Sequence, residues 1–146
     1  MKDKDFNYTR VIKFKAKRLD NKEWVEGDLV HYNGNKVGIQ YYSDIGENNY
    51  VQVVHEIDPS TVCQFTGLRD RSGVEIWEHD VLSNSFIYRG EVVFQDGGFL
   101  VKRKYINPTR CYFSELGHFL NKNKEQTVTV TNLGSKFDIY REGGEK

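Results

Sequence analysis

Proline occurs only twice in this chain and methionine once. Cysteine is equally scarce. Cys63 and Cys111 lack the paired spacing of a zinc site and follow no secretory leader, so they read as reduced thiols of an intracellular protein. No apolar run approaches the ~18–20 residues that a membrane span needs, and Met1-Lys2-Asp3-Lys4-Asp5 has no apolar stretch of a signal peptide. Excess charge is missing too: Lys plus Arg and Asp plus Glu both number 21, which removes the strongest argument for a polyanionic partner. There is no Gly-rich phosphate loop, no G-x-S-x-G nucleophile turn and no H-x-x-x-H pair among His31, His55, His79 and His118. These absences predict a cytoplasmic protein that is not an enzyme, holds no cofactor or metal and touches no membrane.

Aromatics are plentiful, at 14% of residues. Together with period-two patterning they favour pleated, half-buried surfaces over a helical bundle. Charge is unevenly spread: residues 1–18 hold seven bases against Asp3 and Asp5, whereas residues 20–60 hold eight acids against Lys22 and Lys36. That asymmetry reads as two solvated faces of opposite sign.

Along the chain, Ile12, Phe14 and Ala16 alternate with Lys13, Lys15 and Lys17, giving a half-buried strand whose lysine row would blunt a sheet edge. Trp24 to Tyr32 is a second strand with a bend at Gly27-Asp28. Asn33-Gly34 is a type I′ hairpin signal joining it to Val37–Tyr42. A polar loop over Ser43–Asn49 precedes a strand over Tyr50–Ile57, and Asp58-Pro59-Ser60 starts a single helical turn. Asp70-Arg71-Ser72-Gly73 marks another hairpin, and alternation places Glu75 and Trp77 on the solvent face. Phe86–Gln95 and Phe99–Val101 pair through the turn Asp96-Gly97-Gly98. Lys102 to Arg110 reads as a basic loop, Ser114 as the N-cap of a short helix over Glu115–Leu120, Asn121–Gln126 as a polar loop and Thr127–Thr131 as the last clear strand. Without βαβ alternation the fold class is mainly β: curved antiparallel sheets forming a small barrel-like domain with one or two short helices. The chain reads as one domain over 1–146, with an N-terminal β subdomain over 10–65 and a barrel-like one over 66–140. E-x-D-V-L, then G-x-V-x-F and a Gly-Gly turn, repeat the rhythm of an SH3-like element in the C-terminal half.

The organising stretch is Thr66–Leu82. With the two residues before it, it resembles the YopX protein family, whose pattern is approximately Q-(Y/F)-T-G-L-x-D-x-x-G-x-x-I-(Y/F)-E-G-D-(I/V)-(V/L). The chain matches at Gln64, Phe65, Thr66, Gly67, Leu68, Asp70, Gly73, Ile76, Glu78, Asp80, Val81 and Leu82. Trp24 with Gly27-Asp28-Leu29 upstream, and Gly90–Val93 with Gly97–Phe99 downstream, extend the resemblance over about residues 10–140. Three features depart from the pattern. His79 stands where the family has Gly, Trp77 where it has Tyr or Phe, and the segment from Asn132 only loosely follows its closing residues. The resemblance implies a mostly β protein of phages or prophages in a bacterial host cytoplasm, of largely unknown role, with no catalytic residues to carry over.

The motif also has a physical reading of its own. Thr66, Gly67, Leu68, Asp70, Gly73, Ile76, Trp77, Glu78 and Asp80 suit a turn that holds strands in register. In it Gly67 and Gly73 supply positive φ, Asp70 closes the hairpin, and Asp80 ties down backbone amides. A competing reading gathers Asp70, Glu75, Glu78 and Asp80 into a carboxylate site for a metal-dependent hydrolase, although their spacing fits no ligand template. Lys102, Arg103, Lys104 and Tyr105, with Arg110 and Tyr112, interleave bases with aromatics, as a nucleic-acid surface does. The leading expectation is a protein-interaction module that binds itself or a host or phage protein, using Trp24, Tyr32, Tyr41, Tyr42, Tyr50 and exposed strand edges. Nucleic-acid binding is the alternative, and the hydrolase a distant third.

Overall fold

A computed structural model describes residues 10–84, 89–104, 111–125 and 129–140. Among them the chain is mainly β, as its patterning predicts, with two antiparallel sheets that stay open instead of closing into a barrel. It divides into two compact units, Met1–Phe65 and Thr66–Lys146. No helix among the described residues is long and apolar enough to cross a membrane.

In the first unit β1 (Phe14–Lys17), β2 (Trp24–Tyr32), β3 (Lys36–Gly46), β4 (Asn49–Glu56) and the start of β5 (Cys63–Arg69) follow the spatial order β4-β3-β2-β1-β5. Strand β1 is therefore interior, and its lysines do not guard an edge. Instead Lys15 and Lys17 lie over the Trp24 ring (4.8 and 5.3 Å), and Lys13 pairs with Glu26 at 3.0 Å. Both ammonium groups therefore lie over the indole, where the ring's negative face attracts a cation. Ile12 precedes the strand and is exposed, whereas Ala16 joins Ile39 and Ile57 in the core, with Phe14, Val25, Leu29 and Val37 against them.

Strand β2 changes partners at its glycine. Residues Trp24 to Gly27 pair with β1, and Asp28 to Tyr32 pair with β3. A Cβ on Gly27 would lie 2.3 Å from the Gln40 carbonyl oxygen, so the crossing requires glycine. Asn33 (φ 45°) and Gly34 (φ 78°) turn the β2–β3 hairpin as expected. The expected loop over Ser43–Asn49 is instead the end of a long β3–β4 hairpin. Glu47 (φ 53°) and Asn48 (φ 61°) form its two-residue turn, because ladder bonds to β4 outweigh the polar composition. A 3-10 turn, Pro59–Thr61, is capped by the Asp58 carboxylate, which accepts from Ser60 N at 3.0 Å. Cys63 is a buried thiol whose Sγ donates to the Thr61 carbonyl at 3.3 Å.

In the second unit the end of β5 pairs with β6 (Glu75–Trp77). A sheet of order β10-β9-β8-β7-β11 follows, built from β7 (Asp80–Ser83), β8 (Arg89–Gln95), β9 (Gly98–Lys104), β10 (Cys111–Glu115) and β11 (Thr131–Ser135). Val92 faces Val101 and Phe94 faces Phe99 across the Asp96-Gly97 turn, as the sequence indicates. Helix α1 (Leu116–Glu125) packs on β9 and β10, and α2 (Lys136–Ile139) ends the described chain. Leu116, Phe119 and Asn123 fall on one helical face, the two apolar ones joining Ile76, Leu82, Val92, Val101 and Val130 in the core.

Four expectations are corrected here. Ser114 lies in β10, and Glu115 caps α1 instead, its Oε1 and Oε2 accepting from Gly117 N (2.8 Å) and His118 N (3.1 Å). The helix runs through the supposed loop at Asn121, since its polar residues sit on the outer face and Asn123 bonds back to the Phe119 carbonyl at 2.7 Å. The last strand starts at Thr131, where the bonding partner β7 is available; Val130 fills the core instead, and residues 126–128 lie outside the described residues. Trp77 is buried, not solvent-facing, because both faces of the short strand β6 are covered at its end.

Candidate functional site

The 66–82 motif closes two turns and draws in a third segment. Thr66 Oγ1 donates to the Ile76 carbonyl at 2.7 Å and accepts from Leu68 N at 3.2 Å, pinning β5 to β6. Gly67 (φ 83°) and Gly73 (φ 86°) both use the left-handed region. Asp70 Oδ1 accepts from Ser72 N and Val74 N, each at 2.9 Å, which is the hairpin closure its position suggests. Asp80 Oδ2 accepts from Trp77 N at 2.9 Å, closing the second turn. Ile76 lies in the core, whereas Leu68 stays exposed.

Asn132, which the sequence marks only as the start of a segment loosely following the family's closing residues, joins both carboxylates. Its backbone N donates to Asp70 Oδ2 (3.3 Å), and its Nδ2 donates to Asp80 Oδ2 (2.7 Å) and to the Glu75 carbonyl (3.0 Å). Asp70 thus accepts from three backbone amides, and Asp80 Oδ2 from the Trp77 amide and the Asn132 side chain. Glu75 pairs with Arg69 at 3.2 Å and Glu78 lies toward His79, so the four acids do not converge. Among the described residues no group of three or more His, Cys, Asp or Glu could hold a metal ion.

His79 adopts φ 71°, so the glycine-type turn is kept with a side chain added. Its N–H donates to the Val92 carbonyl (2.7 Å) and its carbonyl accepts from Lys136 N (2.8 Å), which over-determines the conformation. Its Nδ1 lies 2.9 Å from Glu91 Oε2, which also pairs with Lys136 Nζ at 3.0 Å. Burial pushes the Glu91 carboxyl up, but bonds from His79 and Lys136 outweigh burial and hold it below the ordinary glutamate value. Among the other histidines, His55 Nε2 meets the Tyr41 hydroxyl at 3.1 Å, and His31 and His118 are exposed.

Lys102, Arg103 and Lys104 belong to β9, not to a loop, so alternation sends Arg103 to the face opposite Lys102. Arg103 lies toward α1, with Nη2 donating to Ser114 Oγ (3.1 Å) and its guanidinium 5.7 Å from the centre of the Phe119 ring. Lys102 is laddered opposite Glu91 and Phe113. Tyr112 pairs with Arg103 in the ladder, while Tyr105 and Arg110 lie outside the described residues.

In the first unit the β2–β3 ladder stops at Asp28 opposite Gln40. From Tyr41 to Gly46, β3 is laddered to β4, forming a two-stranded arm. That arm exposes Tyr42 (64%), Ile45 (66%), Tyr50 (61%) and Val51 (45%). Composition announced the aromatics, but which of them would remain bare depended on where the β2 ladder ended.

Among curated proteins, none matches this chain. The family model described as YopX protein matches residues 13–135, and over that span the chain belongs to the YopX protein family.

Proposed function

We propose that this chain is a non-enzymatic interaction module that pairs with a second copy of itself through the β3–β4 arm, in the cytoplasm of a bacterial host carrying the phage or prophage it derives from. The bare Tyr42, Ile45, Tyr50 and Val51 on that arm carry the reading. Strand β4 is the outermost strand of its unit among the described residues, and from Asn49 to His55 it has no charged residue or proline. Natural proteins usually blunt such an edge with lysine, proline or a bulge. An antiparallel β4–β4 pairing about a two-fold axis would continue the sheet and set Tyr50 beside the partner strand, with Tyr42 one strand behind it; tyrosine is a favoured anchor of interfaces.

Nucleic-acid binding through the 102–112 segment has weaker support, since Lys102 and Arg103 occupy opposite faces of β9 and the net charge is zero. Light scattering on the full chain tests the proposal. A dimer is expected for the wild type, and a monomer with unchanged melting temperature for the Tyr42→Glu, Tyr50→Glu double variant. A wild-type chain that stays monomeric throughout its soluble range overturns it.

A further inference from the structure

The second unit contains a groove that the arm does not use. It lies between the β5–β6 hairpin and α1, encloses about 420 Å³ and has Leu68, Leu120 and Val130 among its walls. The volume falls within the range of small-molecule sites. Its origin is legible in α1: Gly117, Leu120, Asn121 and Lys124 recur at i, i+3, i+4 and i+7, so they share a face. Leu116 and Phe119 turn the neighbouring face to the core.

The charges at this groove are one-sided. Arg71 on the hairpin turn and Lys124 near the C-terminal end of α1 both line it and are both exposed. Arg69 also lines it, held by Glu75 and the Gly73 carbonyl. The acid present, Asp70, has its oxygens on the amides of Ser72, Val74 and Asn132, so its negative charge is already matched by donors. An apolar floor with cationic sides complements a molecule that has an apolar body and an anionic head. Burial of the body supplies affinity, and arginine and lysine supply charge-assisted hydrogen bonds to a carboxylate, sulfonate or phosphate.

We infer that the groove between the Leu68–Arg71 hairpin end and the Gly117–Lys124 face of α1 binds a small amphipathic anion, with Leu68, Leu120 and Val130 holding its apolar body and Arg71 and Lys124 its charge. The probe is 8-anilinonaphthalene-1-sulfonate, titrated into the full-length folded protein and followed by fluorescence. Its uncharged counterpart, N-phenyl-1-naphthylamine, is titrated in parallel.

One sulfonate probe per chain is expected to bind. The Arg71→Glu, Lys124→Glu variant weakens it by roughly tenfold or more and leaves the uncharged probe unaffected, whereas Leu68→Asp loses both. Melting curves establish that each variant is folded. The arm variant Tyr42→Glu, Tyr50→Glu retains the sulfonate probe, which separates this site from the self-association surface. No saturable binding, affinity indifferent to Arg71 and Lys124, or binding that disappears with the arm variant overturns the assignment.

Discussion

Asn132 Nδ2 lies 2.7 Å from Asp80 Oδ2, a hydrogen bond between residues 52 positions apart in sequence. The same side chain donates to the Glu75 carbonyl and accepts from Gly134 N at 2.9 Å. Asn132→Ala therefore removes one hydrogen bond each from a buried carboxylate, which keeps the Trp77 amide, from a carbonyl and from an amide. A loss of about 2–3 kcal/mol is expected. Urea unfolding checks it, and a loss below about 0.5 kcal/mol would mean that water replaces the amide at little cost.

His79 offers a separable test of backbone and side-chain contributions. At φ 71° a Cβ is unfavourable by roughly 1–2 kcal/mol, while the ring contributes its contact with Glu91. Alanine keeps the strain and loses the contact; glycine loses both. His79→Ala should therefore be less stable than His79→Gly by about 1 kcal/mol, measured by denaturant midpoints at equal m-values. Equal stabilities would show that the turn relaxes when the ring is removed.

Glu91 makes stability depend on acid. Its carboxyl is held below the ordinary value in the folded chain, so the unfolded chain binds its proton first as pH falls. The stabilisation is complete above the ordinary glutamate value, roughly pH 4.3, and is lost as pH drops through the lower folded value. Melting temperature against pH should fall more steeply over that window for the wild type than for Glu91→Gln. Parallel curves would exclude Glu91 as the source.

Two glycines should fail for different reasons. Gly27→Ala places a methyl 2.3 Å from a backbone oxygen and should cost more than about 2 kcal/mol, because the crossing strand cannot yield. Gly67→Ala meets open space at φ 83° and should cost about 1 kcal/mol from conformation alone. Thermal unfolding of the two variants decides the order, and a Gly67 variant as damaged as the Gly27 variant would contradict it.

Arg103 and Lys102 should behave unlike neighbours in one basic patch. Arg103→Glu loses the Ser114 bond and the Phe119 contact and should destabilise by about 1–3 kcal/mol, whereas Lys102→Glu, facing Glu91 across the ladder, should cost under about 1 kcal/mol. Equal effects in urea unfolding would place both side chains in one environment.

Local chemistry was sufficient for much of this molecule. Asn33-Gly34 and Asp96-Gly97 adopt the positive φ that their residue types favour, and Trp24 to Tyr32 forms the strand its pattern describes, because such preferences act within a few residues. The closures at Asp70 and Asp80 were legible for the same reason. Partnership across the chain was not. Strand β1 became interior, the Ser43 region joined a ladder, Trp77 was buried, and Asn132 reached Asp70 and Asp80, each because a distant segment supplied the hydrogen bonds or the cover. Residue types and their spacing set the turns and the alternation. Only the tertiary pairing decided which strand forms an edge, which tyrosines stay bare and which face of α1 borders a groove, since register and burial depend on segments far apart in sequence.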